Sequence, residues 1–570
     1  MFMAFADKMN GARRKFPLNW GLLLFLVLVL DVKLAIKIPA LVIACCLQPG
    51  FGRRGHQPGR QAGAQPGSWF WRGLPLFYPL MIVLALVDWI LFKGFTDRDY
   101  DLVALAGIGS WLCCMAAVYQ VRLFTEGSET ETLHRTLLVF FALNALVSVA
   151  DMVRIVWETK ALNPYLYQGM YQKYFIRTGD YIKGISFDTS TTNAVINAFG
   201  AVYFLKRKNG WMLLCCMACL LATGSNFTNL LLLGVFVCLF VFDSDREQKG
   251  GIVLCVVMGA VFLGKVSPQN NHYTEETLMG MMQRGAPQVA ALKPAAADST
   301  DIKRTAYARF YLDSVRLAGW LRAKSDSAAG KGSLAALKQW KPKPALPEPN
   351  INEGAYLRKD DDTSADQRVL YAFIDDHRRE LPLAGHLPAS LTEQLASSGE
   401  GETHAPGKWV AFKQVFGFLH NHPERILTGN GAGNFSSKLA FRSTGLGIMG
   451  GFPARYVYIS PDFLGHHLDI YLDFFAKPKQ MHSLTNSPDS VYGQVLGEYG
   501  AMGLLFLAVF YIGFFVRQLR QAGTLRRGGY GLALVVILAG SFLIGYWFEQ
   551  LSIVILFEVL LFTEVKPASE

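Results

Sequence analysis

The chain has 570 residues, of which 51% are hydrophobic and 17% charged, with a formal net charge of +11. The positive excess sits in short loops between apolar runs (Arg53/Arg54/Arg60/Arg72, Lys206/Arg207/Lys208, Arg517/Arg520/Arg526/Arg527), while the long polar stretch 266–481 is nearly balanced, with 25 Lys/Arg against 22 Asp/Glu. That placement excludes a nucleic-acid partner and reads as the positive-inside signal of a polytopic membrane protein; the nine cysteines all lie in apolar runs, which excludes a disulfide framework or zinc spacing in the polar stretch.

In chain order, a basic N-terminus (Lys8, Arg13, Arg14, Lys15) precedes an apolar run over 17–30. No small-residue cleavage site follows it closely, so the run is expected to stay as a first helix. A second helix is expected at 34–48, forming a hairpin around Asp31, Lys33 and Lys37. Further membrane helices are expected at 73–92, 102–119, 136–156, 188–205, 211–223, 227–242 and 250–264. Several of these runs approach the ~20 apolar residues that cross a hydrocarbon core, and in lipid such runs must be helical to pair their backbone groups. The polar stretch follows, and helices at 500–517, 530–548 and 551–565 end the chain.

Placing the basic loops inside gives about twelve transmembrane helices with both termini cytoplasmic. The expected fold is therefore an all-α polytopic membrane protein. Its parts are a block of nine helices (1–265), an α-rich exoplasmic cap (266–490) and a block of three helices (491–570). Within the cap, 285–300 and 323–350 are rich in Ala, Pro, Lys and Ser and read as linkers. Helical patterns are expected at 301–322, 365–380, 407–421 and 461–475.

The segment where the cap re-enters the membrane reads Pro488-Asp489-Ser490-Val491-Tyr492-Gly493-Gln494-Val495-Leu496-Gly497-Glu498-Tyr499-Gly500-Ala501-Met502-Gly503-Leu504. It resembles the signature of the O-antigen ligase and O-antigen polymerase superfamily of bacterial membrane glycosyltransferases, P-H-N-x-Y-L-Q-x-L-x-E-x-G-x-x-G-L, with Asp489 standing where the family has histidine. Three further stretches resemble the family in the same order. Arg177-Thr178-Gly179-Asp180 with Asn193-Ala194 resembles R-x-x-G…N-x-x-A. Thr223-Gly224-Ser225-Asn226 resembles T-G-S-R, with Asn226 in the arginine position. Trp409 to Phe435, including Gly429-Asn430-Gly431-Ala432-Gly433, resembles W-x-x-A…P-x-x-G-x-G-x-G-x-F.

What the resemblance implies is a glycosyltransferase of the bacterial inner membrane. It would take glycan from an undecaprenyl-diphosphate carrier on the outer face and pass it to a glycan or glycolipid acceptor, with membrane lipids as its surroundings and no cofactor. A lipid diphosphate leaving group calls for cations at the membrane surface, and arginine meets it with a planar fork that stays charged. Arg177, Arg442 and Arg455 are the candidates. The acceptor hydroxyl calls for a base or a hydrogen-bond acceptor. Asp489 is the first candidate and His482 the second, with Glu498 as an orienting group.

Each assignment has a plainer counterpart. Ser487-Pro488-Asp489-Ser490 also reads as turn and helix-cap chemistry, and Arg177 as an interfacial arginine. Tyr165, Tyr167, Tyr171, Tyr174 and Tyr181 form an aromatic belt, or a stacking platform for sugar in which Tyr167 and Tyr171 join Trp409. Gly429–Gly433 reads as a tight turn of the cap rather than a phosphate loop. His420/His422 and His466/His467 read as surface histidines rather than metal ligands, and no metal site is expected. Asp151 and Arg154 are spaced to pair. Asp88 and Glu558, acids in apolar helices, suit the alternative of a non-catalytic transporter or flippase.

Overall fold

The computed structural model describes residues 18–47, 73–91, 98–166, 181–267, 407–443, 487–523, 529–566 and isolated positions between 452 and 470. The helical patterns expected at 301–322 and 365–380 lie outside these residues, as does most of 461–475. Every regular element among the described residues is helical. In order they are α1 (Trp20–Leu30), α2 (Leu34–Leu47), α3 (Phe77–Leu91), α4 (Arg98–Glu126), α5 (Thr130–Thr159), α6 (Ser190–Lys206), α7 (Gly210–Ala222), α8 (Asn226–Phe242) and α9 (Arg246–Val261). The cap contributes α10 (Gly407–Asn421) and α11 (Lys438–Ser443). The last block holds α12 (Val491–Phe506), α13 (Gly513–Gln521), α14 (Tyr530–Ser541), α15 (Trp547–Gln550) and α16 (Ile553–Val565).

Among the described residues, four helices are long and apolar enough to cross a membrane: Tyr100–Glu126, Thr130–Thr159, Arg246–Val266 and Val491–Gln521. Shorter apolar helices pack among them. Their outward faces carry exposed Leu105, Leu146, Val149, Val153, Leu230, Val241 and Val257. Large apolar side chains facing outward along several neighbouring helices would be costly against water and are the normal surface against lipid. The architecture is that of an all-helical membrane protein.

Two helices run through the middle. α6 is buried on every face from Ser190 to Leu205, and α16 from Ile553 to Leu561. A helix apolar and buried all round has to be surrounded by other helices. Phe77, Tyr78, Trp111, Tyr511 and Phe548 pack ring against ring. This cluster encloses Glu558, which is 0% exposed; Tyr78 and Tyr511 both donate to its Oε1, at 2.6 and 3.1 Å.

An asparagine ladder fixes the entrance to α6. Asn144 donates to Asn193 at 2.9 Å and accepts from the Ile185 amide at 3.0 Å, while Asn193 donates to Ser148 and to the Ile182 carbonyl, both at 3.0 Å. Asp151 accepts from the Lys183 and Gly184 amides and sits 3.8 Å from Arg154, the expected pair. Buried amides matched this fully hold the 182–188 segment in one place.

The last block departs from the expected spans in two respects. Helix begins at Val491 rather than near residue 500, because the Ser490 hydroxyl accepts from the Gly493 amide and starts it early. The helix expected over 530–548 stops at Ser541. The Phe542 carbonyl accepts instead from the Val491 amide at 2.8 Å and the Ser490 hydroxyl at 3.1 Å, and Trp547 Nε1 donates to the Ser541 carbonyl. Carbonyls engaged by a neighbouring element no longer propagate their own helix. The chain therefore crosses 542–552 as irregular backbone plus the single turn α15.

Candidate functional site

The site is built where the cap loop meets the start of α12. Gly500 has φ +64°, ψ −162° inside an otherwise helical run, and a Cβ there would lie 2.5 Å from the Leu427 carbonyl carbon and oxygen. Gly429, at φ +77°, approaches the Glu498–Tyr499 peptide just as closely. Only glycine supplies both the left-handed backbone and the missing side chain at these two contacts. The backbones then pair: Asn430 and Gly431 amides donate to the Gly497 and Glu498 carbonyls at 3.0 and 2.9 Å. The Ala501 and Met502 amides donate to Ile426 and Leu427 at 2.8 and 3.1 Å. The glycine-rich segment is thus a turn of the cap stitched to α12. Arg425 adds an ion pair to the buried Asp88 of α3 at 3.2 Å.

Around this junction four elements and two flanking segments converge. Lys37 of α2, 4% exposed, donates to the Gln550 carbonyl at the end of α15. Asp188, at the entrance to α6, accepts from Thr192 at 2.8 Å. α11 contributes Lys438 and Arg442, and α12 contributes Gln494 and Glu498. Glu549 of α15 accepts from Gln494 Nε2 at 2.8 Å and from the Leu439 amide at 3.1 Å. Lys438 is the hub: Asp188, Asp489, Glu549 and Arg442 all act on its charge. Lys37 lies in the field of Asp188, Lys438 and Arg442, and Arg442 in that of Glu549 and Asp188. Lys438, Arg442, Asp188, Asp489 and Glu549 are all half-buried, so solvent reaches the cluster.

Burial sets the electrostatics of the cap groups. It lowers Lys438, against the opposing pull of Asp188. It lowers Lys408 to about 8, with Asp489 opposing. Glu549, on the turn outside the spans, is raised by burial while Arg442 and Lys438 pull it down. Several cations held beside carboxylates in a partly dry setting form a place where an arriving anion meets preorganised charge.

Several residues singled out in the sequence meet here. Asp489 lies beside Lys408, whose Nζ donates to the Asp489 carbonyl oxygen at 2.6 Å, and its charge acts on Lys408 and Lys438. It is not the helix cap; Ser490 takes that role. Glu498, 1% exposed, accepts from the Phe435 amide at 3.4 Å and from Ser437 and the Gly433 amide. Arg442 is in the cluster. Trp409 shares α10 with Lys408 and is 67% exposed.

His467 is fully buried between Phe435 and Phe463, which corrects the surface reading; burial of an apolar ring face against phenylalanines outweighs its polarity. Thr223–Asn226 spans the turn between α7 and α8, with Gly224 at positive φ and the Ser225 hydroxyl 2.9 Å from that of Thr228. Arg177, Arg455, His482, Tyr167 and Tyr171 lie outside the described residues. Comparisons with family models, with curated proteins and with solved structures find no match to this chain.

Sequence reasoning missed Lys37, Asp188, Lys438, Gln494 and Glu549 as site residues. Gln494 carried a signal, since it occupies the glutamine of the 488–504 signature. The others had none: they lie in four separate stretches, and only the break in the last block turns Glu549 toward α11.

Proposed function

We propose that the chain is a membrane glycosyltransferase, a polysaccharide polymerase or ligase-like enzyme related to the O-antigen ligase superfamily. It would act on the outer face of a bacterial inner membrane through the twelve-helix path with both termini inside. Its donor is an undecaprenyl-diphosphate-linked glycan and its acceptor a glycan or glycolipid. The observation that carries the reading is the clustering of Lys37, Lys438 and Arg442 around Asp188 and Glu549, with Lys438 also in the field of Asp489, which belongs to the segment 488–504 that resembles the superfamily signature.

In this reading the acceptor oxygen attacks the anomeric carbon as the bond to the carrier diphosphate breaks. The electron pair leaves on the diphosphate, where Arg442 offers a fork of donors and the lysines offer point charges. Asp489 stands with Lys408 and Lys438 beside it, and its carboxylate would accept from and orient the acceptor hydroxyl. Glu498 keeps the glycine turn and α12 in register.

The test is the glycan profile of a deletion strain complemented with wild type or Arg442→Ala. Wild type should restore the profile and Arg442→Ala should leave at least about 90% of the product missing at normal protein levels. Shortened chains in the deletion identify a polymerase and unattached full-length chains a ligase. Lipid-linked glycan retained on the cytoplasmic face would instead identify a flippase, and an unchanged profile would sink the reading.

A further inference from the structure

Glu549 is a carboxylate for which the orienting role of Asp489 leaves open work. It sits on α15, a single turn whose surrounding backbone is irregular over 542–552, so its position is set by contacts rather than by a helix. Gln494 Nε2 and the Leu439 amide hold one oxygen each, at 2.8 and 3.1 Å. A carboxylate oxygen has room for a second partner, so each remains able to accept a proton. Gln494 is 2% exposed, and its own Oε1 has no partner among the described residues. A buried amide oxygen left unmatched costs free energy unless something else donates to it. The donor that suits it is a hydroxyl, delivered beside Glu549.

We propose that Glu549 takes the proton of the acceptor hydroxyl, with Gln494 as its positioning residue; this assignment rests on the transferase reading above. The acceptor O–H bond breaks with its proton moving to the Glu549 carboxylate. The oxygen forms the new bond to the anomeric carbon, and the carbon–oxygen bond to the diphosphate breaks with its electron pair on the leaving group. Glu549 is half-buried rather than sealed, so the proton passes on to solvent.

The groups facing Glu549 are Lys438 and Arg442 of α11, Glu498 and Tyr499 of α12, Cys114 of α4 and Lys37 at the adjoining Gln550 carbonyl. Burial raises the carboxyl against the pull of the two α11 cations. A base must be deprotonated to work, so turnover falls as pH drops through its titration. Removing the Gln494 donor weakens the anion and moves that fall to higher pH.

Glycan transfer in membrane vesicles holding the endogenous donor, followed across pH, reads the assignment out. Binding of undecaprenyl diphosphate alone to purified protein reads the anion site separately. Glu549→Gln should bind undecaprenyl diphosphate within about twofold of wild type, transfer at least about 100-fold more slowly and lose the acid limb of the pH profile. Gln494→Met should keep binding and shift the acid limb upward. Transfer by Glu549→Gln within a few-fold of wild type, or an unshifted limb in Gln494→Met, overturns the assignment. If Glu549→Gln does not accumulate, the Gln494→Met profile decides. Wild type that binds no undecaprenyl diphosphate and transfers no glycan removes the underlying reading instead, whatever the variants do.

Discussion

At residue scale, the informative position is Asp489. In sequence it reads first as a helix cap and second as the group that meets the acceptor. The structure separates the two, because Ser490 makes the capping bond and leaves the Asp489 carboxylate facing two lysines. Asp489→Asn keeps the size and removes the charge. The expected outcome is glycan transfer lowered at least about tenfold with thermal stability within about 0.5 kcal/mol of wild type. Asp489→His, which restores the family residue, should recover transfer relative to Asn. Equal transfer by Asn and wild type removes Asp489 from the mechanism.

Lys438 and Glu549 mark the limit of reading residues one at a time. A lysine in a long cap and a glutamate between two apolar helices look like solvated loop residues. Only tertiary packing of α11 on α15 makes them neighbours.

At element scale, apolar length made the helices legible, and the boundaries failed where backbone groups found partners outside their own helix. The stretch 530–548 is apolar enough for a full span, yet Val491 and Ser490 capture the Phe542 carbonyl and break it. No local pattern encodes a hydrogen bond to a residue fifty positions away. The glycines of α12 were visible as a motif, but their reason is the close crossing with the cap turn. Gly500→Ala places a Cβ against the Leu427 carbonyl at a left-handed φ. It should lower unfolding free energy by about 2 kcal/mol or more in a thermal or denaturant melt of the purified protein. Gly513→Ala, in α13 at an ordinary helical φ, serves as the comparison and should cost far less. Equal melts for Gly500→Ala and wild type contradict the crossing.

At the scale of the whole molecule, hydropathy and loop charge were enough to read an all-helical membrane protein, since lipid leaves the backbone few alternatives. The charged cluster was not legible, because Lys37, Asp188, Lys438 and Glu549 come from distant parts of the chain and none is demanded by an apolar pattern. In the proposed reading, the cations of this cluster hold the diphosphate of a lipid-linked donor while its glycan is transferred.

The most direct measurement is release of undecaprenyl diphosphate by reconstituted protein in vesicles carrying donor lipid extracted from the host membrane. Sidedness is set by a cysteine-free protein bearing Trp340→Cys. Release should occur when the acceptor is supplied on the side from which an impermeant maleimide reaches that cysteine, and Arg442→Ala should slow it at least about 100-fold, because a buried fork of donors to a developing anion is lost. Equal release by Arg442→Ala and wild type, release driven from the opposite side, or no release by wild type with donor and acceptor present would contradict the account.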